Sequence, residues 1–209
     1  MPISDTFGQG FAGLDYGDSP DLKKLSEGLL LMAGQSVMRF ANASARNATL
    51  SSPAAGMVAW LTAEKLLTVY DGTAWVAVAA GTQSWTTVSL ASGFSHDGNS
   101  NGNFQYRVVN LFGEQTLMLR GGLGVTYSGS PSVIANSGVV TGTPLPAAAR
   151  PTSLRTVTGA CSTTNSDALS VKIDILPTGH IQIVGTTSAT ANPKIQPPWV
   201  SFNGCFCSL

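Results

Sequence analysis

A chain of 209 residues with 43 % apolar content is long enough to core one large or two small domains. Only 11 % of its residues are charged, against roughly 25 % in average globular proteins, so its surface is built of Ser, Thr, Asn and Gly or is covered by other subunits. Net charge is zero, with seven acids and five bases in residues 1–84 and four acids and six bases in residues 85–209, so nucleic acid is disfavoured as a partner. No apolar run approaches the roughly 20 residues of a membrane span, and Met1-Pro2-Ile3-Ser4-Asp5 lacks the basic start and apolar stretch of a secretory signal. Both fit a protein made in the cytoplasm without membrane insertion. Cys161, Cys205 and Cys207 read as reduced, buried thiols, with a Cys161–Cys205 bridge as the alternative.

In chain order, residues 1–16 are rich in Gly and aromatics without periodicity, as in a segment that orders against a partner. One helix is predicted next, capped by Asp18 or Ser19, with Pro20 in its first turn and Asp21 complementing the dipole. Leu22, Leu25, Leu29 and Met32 form one apolar stripe at coiled-coil spacing. The segment spans about 14 residues and contains Gly28, so alone in water it is marginal. It is expected to lean on copies of itself or on the socket that anchors it, the alternative being a helix packed on the following β module.

That module, residues 41–78, runs from Ser52-Pro53-Ala54-Ala55-Gly56-Met57-Val58-Ala59-Trp60-Leu61 through a short polar bend to Leu66-Leu67-Thr68-Val69-Tyr70-Asp71-Gly72-Thr73-Ala74-Trp75. Its apolar runs meet at Asp71-Gly72, which predicts a tight hairpin. The Pro-x-x-Gly-Met opening and the Val-Tyr-Asp-Gly-Thr-Ala-Trp close resemble the small shaft modules of bacteriophage tail fibres and minor tail proteins, particularly in phages of actinobacteria. Trp60 and Trp75 are expected to be structural anchors of this neck, because so small a module has little other apolar area to bury.

Residues 79–84 read as a linker. Beyond it, strands are predicted at 85–91, 103–110, 115–120, 125–127, 138–141, 153–161, 168–176, 180–186 and 199–206, the spacing of an antiparallel β-sandwich or jelly roll without helices. The clearest hairpin, 171–175 with 180–184, turns Val171, Ile173, Ile175, Ile181 and Ile183 inward and leaves Lys172, Asp174, His180 and Gln182 outside. Gln105-Tyr106-Arg107, Leu119-Arg120-Gly121, Pro177-Thr178-Gly179 and Trp199-Val200-Ser201-Phe202 extend the resemblance to the terminal β-sandwich of such fibres. The resemblance implies a homotrimeric virion protein: residues 1–40 anchor it to another virion protein, 41–80 form a neck, and 85–209 form a receptor-binding tip that attaches to a host surface glycan without cleaving it. A structural head fibre or capsid decoration protein is the alternative, and a polysaccharide-degrading tail enzyme is the third class.

Strings with catalytic precedent lack their context. Gly8-Gln9-Gly10-Phe11-Ala12-Gly13 spells a dinucleotide-binding turn, but no buried strand precedes it and no helix opens at it. Gly98-Asn99-Ser100-Asn101-Gly102 spells a nucleophile elbow, yet it lies in a Gly and Asn loop followed by a strand, and Asp174 and His180 have no reason to orient each other. Asp97, Glu114, Asp167 and Asp174 are spread over separate elements, so no glycosidase pair is evident. Two histidines without ligand spacing predict no metal site, and no cofactor or catalytic residue is expected. Recognition is expected at the loop at 95–103, whose His96, Asp97, Asn99, Ser100, Asn101 and Asn103 offer the donors and acceptors a neutral saccharide demands, the alternative being an ordinary polar, Gly-rich turn.

Overall fold

The structure is a computed structural model that describes residues 3–4, 12–13, 19, 21–80, 83–111 and 113–209. The glycine string at 8–13, apart from its last two residues, lies outside the described residues, as do Asp18 and Pro20. The chain is mainly β and divides into two compact units, Met1–Gly81 and Thr82–Leu209.

In the first unit, β1 (Ile3–Ser4) and β2 (Ala12–Gly13) form an antiparallel pair. Helix α1 (Leu22–Gln35) starts later than its predicted cap: Asp21 is the N-cap, its carboxylate accepting the Lys24 N–H at 3.1 Å. The stripe does not pack on the β module. Leu22, Leu25, Leu29 and Met32 are 81, 52, 59 and 53 % exposed, and Leu30 and Leu31 are exposed beside them.

The β module is a four-stranded sheet in the order β3 (Met38–Phe40), β4 (Val58–Leu61), β5 (Leu66–Tyr70), β6 (Trp75–Ala80). It starts three residues before the predicted boundary, because β3 pairs parallel with β4. Such a pairing needs a crossover, and a second helix, α2 (Ala43–Thr49), supplies it where the sequence predicts none. Asn42 caps α2 by accepting the Ala45 N–H at 2.8 Å. Between β5 and β6 the turn is longer than a two-residue hairpin: Tyr70 pairs with Trp75, Gly72 takes φ +102°, and the Asp71 carboxylate accepts the Thr73 and Ala74 N–H groups at 2.7 Å each. Strand β6 reaches Ala80, so the first two residues of the predicted linker are paired in the sheet.

The core of this module is thin. Ala59, Leu61 and Ala77 are buried, joined by Thr68 and by Arg46, which is 5 % exposed. Arg46 projects from α2, donates to Thr68 Oγ1 at 3.1 Å and to Asn47 Oδ1 at 2.9 and 3.1 Å, and places its guanidinium carbon 4.3 Å from the Trp75 ring centroid. Burial lowers its pKa, partly offset by Glu64. Glu64 in turn accepts the Ala43 N–H at 3.0 Å, at the start of α2. Trp75 also meets Tyr70, with ring centroids 5.5 Å apart, and both Trp60 and Trp75 are half-buried.

The second unit is an antiparallel sandwich. Its elements are β7 (Thr86–Thr87), β8 (Phe94–His96), β9 (Gln105–Leu111), β10 (Glu114–Arg120), β11 (Gly122–Val125), β12 (Tyr127–Ser128), β13 (Val133–Ile134), β14 (Arg155–Cys161), β15 (Ser170–Ile175), β16 (Ile181–Val184), β17 (Trp199–Ser201) and β18 (Phe206–Ser208). One sheet runs β18-β10-β9-β7, the other β16-β15-β14-β17-β11-β8, and β12 and β13 form a separate hairpin. Between the sheets lie Leu117, Leu119, Leu123, Ile173, Ile175, Ile181, Ile183 and Val200, with the Phe104 and Phe202 rings stacked 3.9 Å apart at their centre.

The predicted strand at 199–206 is two strands in different sheets, because Gly204 turns the chain at φ +81°. Only two residues of the predicted strand at 85–91 are laddered, and the segment at 138–141 makes single bridges from Val139 and Thr141 instead of a strand. Short 3₁₀ turns occur at Gly98–Ser100, Ala135–Gly138 and Ala147–Ala149. Val171, Ile173, Ile175, Ile181 and Ile183 are buried as their alternation requires. Asp174 has outward register but is 7 % exposed, covered by Thr156, whose hydroxyl donates to it at 2.6 Å, and by Lys172 at 2.9 Å. The three cysteines are unbridged: Cys161 and Cys205 are buried and Cys207 is half-buried, and burial raises the pKa of all three thiols.

Candidate functional site

The loop after β8 is built by left-handed backbone. Asp97, Asn99 and Ser100 have φ of +62°, +57° and +55°, and a Cβ at Gly98 would stand 2.4 Å from the Leu123 carbonyl carbon, so only glycine fits there. Three of the six residues that the sequence assigns to recognition hold this loop in shape. His96 Nδ1 accepts the Phe104 N–H at 3.2 Å, and the Asp97 carboxylate accepts the Gly102 N–H at 2.7 Å. Asn101 donates to the Gly98 carbonyl at 2.9 Å and accepts from Asn203 Nδ2 at 3.3 Å, while Asn203 accepts the Gly121 N–H at 2.8 Å. The side chains of Asn99, Ser100 and Asn103 are exposed and make no hydrogen bond among the described residues.

Where the loop returns, it lies against the end of β10. A Cβ at Gly121 would come within 2.0 Å of the Asn103 carbonyl oxygen, and the Gly122 N–H donates to the Gly102 carbonyl at 2.8 Å. The residue before Gly121 is Arg120, and it belongs to a cluster that sequence reasoning missed. Register pairs Arg120 with Gln105, Met118 with Arg107 and Gln105 with Thr87, which sets these side chains on one face of the β18-β10-β9-β7 sheet. Trp85, two residues before Thr87, receives both guanidinium groups: the central carbon of Arg107 is 4.4 Å and that of Arg120 is 4.3 Å from its ring centroid.

Neutral partners fix the two cations. Gln105 Oε1 accepts from Arg120 Nε at 2.9 Å and Nη2 at 2.7 Å, while Gln105 Nε2 donates to Thr87 Oγ1 at 3.1 Å. Arg107 Nη2 reaches Met118 Sδ at 3.5 Å, and its Nε is enclosed without a hydrogen-bond partner. Among the described residues the ion pairs are Lys23–Glu27 and Lys172–Asp174, neither of which involves these arginines. The arrangement therefore holds two forked cations beside a ledge of exposed amides and a hydroxyl. The two arginines stand 13 positions apart in sequence, and only the β9–β10 register brings them to one ring.

Other candidates have less in them. An open cleft of about 490 Å³ is lined by Ala91, Ser92, Gly93, Thr126, Ser128, Ala135 and Asn136, without an aromatic or charged side chain. His180 Nδ1 is 2.9 Å from Thr141 Oγ1, and Asp174 is engaged by Thr156 and Lys172, so the two residues take different partners. Asp167 accepts the Lys194 N–H at 2.6 Å and so closes a loop. No cluster of His, Cys, Asp and Glu fit for a metal ion exists among the described residues.

No family model matches this chain, and no curated protein or solved structure matches it.

Proposed function

We propose that this chain is a virion structural protein, a homotrimeric phage fibre or spike in which residues 1–40 attach to another virion protein and residues 85–209 bind a host surface glycan without cleaving it. The observation that carries the assembly is the exposed stripe of α1. Leu22, Leu25, Leu29 and Met32 repeat at three, four and three residues, the seam spacing of helices that wind around each other, and each is at least half exposed in the single chain. A 14-residue helix is marginal in water by itself. Burying such side chains stabilises by about 1.5–3 kcal/mol each, so packing against copies of the chain provides what the helix lacks. The exposed Leu30 and Leu31 fall on the other side of the helix at roughly 100° per residue, outside that seam, where a surrounding socket would cover them. The number three comes from the resemblance to phage shaft modules.

Low charge supports the same reading, because subunit interfaces are depleted in charged residues. The sandwich offers the polar ledge and the Trp85 cluster at one end as the surface for a glycan. Fluorescently labelled protein added to host bacterial cells tests the receptor role. Staining that unlabelled protein competes away is expected; a protein located on virions by labelled antibody that stains no cells is instead a head fibre or decoration protein. Release of reducing ends from purified wall polysaccharide would make it an enzyme.

A further inference from the structure

Arg107 and Arg120 bring two positive charges to one ring, Trp85. Like charges so gathered repel each other, and no carboxylate among the described residues is in ion-pair range of either. The one acid of the β9–β10 hairpin, Glu114, stands at the opposite end of β10, about 20 Å away at roughly 3.4 Å per residue. The ring and Gln105 fix the guanidinium planes instead of neutralising them. Arg120 commits Nε and Nη2 to Gln105, which leaves Nη1 without a partner among the described residues. A neutral saccharide would need hydroxyl partners alone, whereas the uncommitted Nη1 of Arg120 beside a second fixed guanidinium charge suits carboxylate and phosphate oxygens.

We propose that Arg107 and Arg120, held by Trp85 and Gln105, form an anion-binding site, and that the glycan bound by this unit is acidic, presenting phosphodiester or carboxylate groups. The exposed Asn99, Ser100 and Asn103 on the adjoining loop take the hydroxyls of the same polymer. The proposal rests on the reading of residues 85–209 as the receptor-binding part.

The test is calorimetric titration of the full chain with three oligomers of similar length: a glycerol phosphate oligomer, an oligouronate and a neutral oligosaccharide, each at low and high salt. At least one acidic oligomer is expected to bind, more weakly as salt rises, while the neutral one does not. Binding of the phosphate oligomer alone identifies phosphodiester as the source, and binding of the uronate alone identifies carboxylate. Arg107→Gln and Arg120→Gln should each lower the affinity about tenfold, and Arg120→Lys should fall between Arg120→Gln and the parent because it keeps the charge and loses the fork. Arg120 is exposed, so Arg120→Gln remains informative if Arg107→Gln fails to fold. Equal binding of the neutral oligomer, or unchanged acidic affinity in Arg120→Gln, overturns the site. If host cells are stained but neither acidic oligomer binds, the site is overturned and the receptor reading stands. If an acidic oligomer binds but cells are not stained, the receptor reading falls and the site stands.

Discussion

Residues 82–209 and residues 21–80 meet the demand for apolar burial in opposite ways. The sandwich closes two sheets over a continuous aliphatic core, with Phe104 and Phe202 stacked at 3.9 Å and fully buried. The N-terminal unit centres its β module on Ala59, Leu61, Thr68 and a buried arginine, and leaves the leucines of α1 in water. The first is complete as a single chain. The second carries the leucines of α1 outward, where the proposed assembly would cover them, and the neck replaces apolar volume with the Arg46–Trp75 stack and the hydrogen bonds of Thr68 and Asn47. Buried polar groups of that kind stabilise only while each partner is in place.

The sharpest way to break this comparison is to charge the stripe. Leu25→Asp with Leu29→Asp should convert the assembly to monomers at micromolar concentration by light scattering, while the near-ultraviolet signal of the sandwich is retained. An assembly that survives places the seam elsewhere. Opening the sandwich core has the next largest effect: Phe104→Ala should cost about 3–5 kcal/mol in a denaturant titration and leave the assembly state alone.

Trp75→Ala should cost about 2 kcal/mol in the neck, below the range for a fully buried tryptophan, because Trp75 is half-buried and its loss strips one face from Arg46. If that variant keeps its thermal midpoint and loses binding to host cells, Trp75 is a ligand platform and not an anchor. The smallest effect is a pH dependence in the sandwich. Burial by itself would raise the Asp174 carboxyl, but the Thr156 hydroxyl and the Lys172 ammonium outweigh it and hold the pKa below the ordinary value. The stabilisation is present above the unfolded-state pKa of about 4 and is lost as pH falls through the lower folded-state value. Asp174→Asn should flatten that part of the stability curve.

What could be read from sequence was local or strictly periodic. The alternation of 171–175 against 181–183 identified the inward residues of one hairpin, and the Asp71-Gly72 pair marked the turn between β5 and β6. The α1 stripe was legible because it repeats. Helix α2 was not, since seven residues hold too few turns to show a period, and its best signal, Asn42 as a cap, also reads as a turn. Nor does any local pattern mark Arg46 as buried, because its partners Thr68 and Trp75 come from two later strands. The loop at 95–103 shows the same limit at the candidate site. Its polar residues were visible, but which of them hold the loop and which face solvent is decided by Phe104, Gly121 and Asn203. The Trp85 cluster depends on strand register, which sequence alone leaves open.

In the proposed assembly the single chain is incomplete and its helix α1 is a seam between copies. Size-exclusion chromatography with light scattering on the purified full chain, over a concentration series, measures this directly. The predicted result is a species of three times the 21.5 kDa chain mass that persists to micromolar concentration. A stable monomer of 21.5 kDa across that range would contradict it.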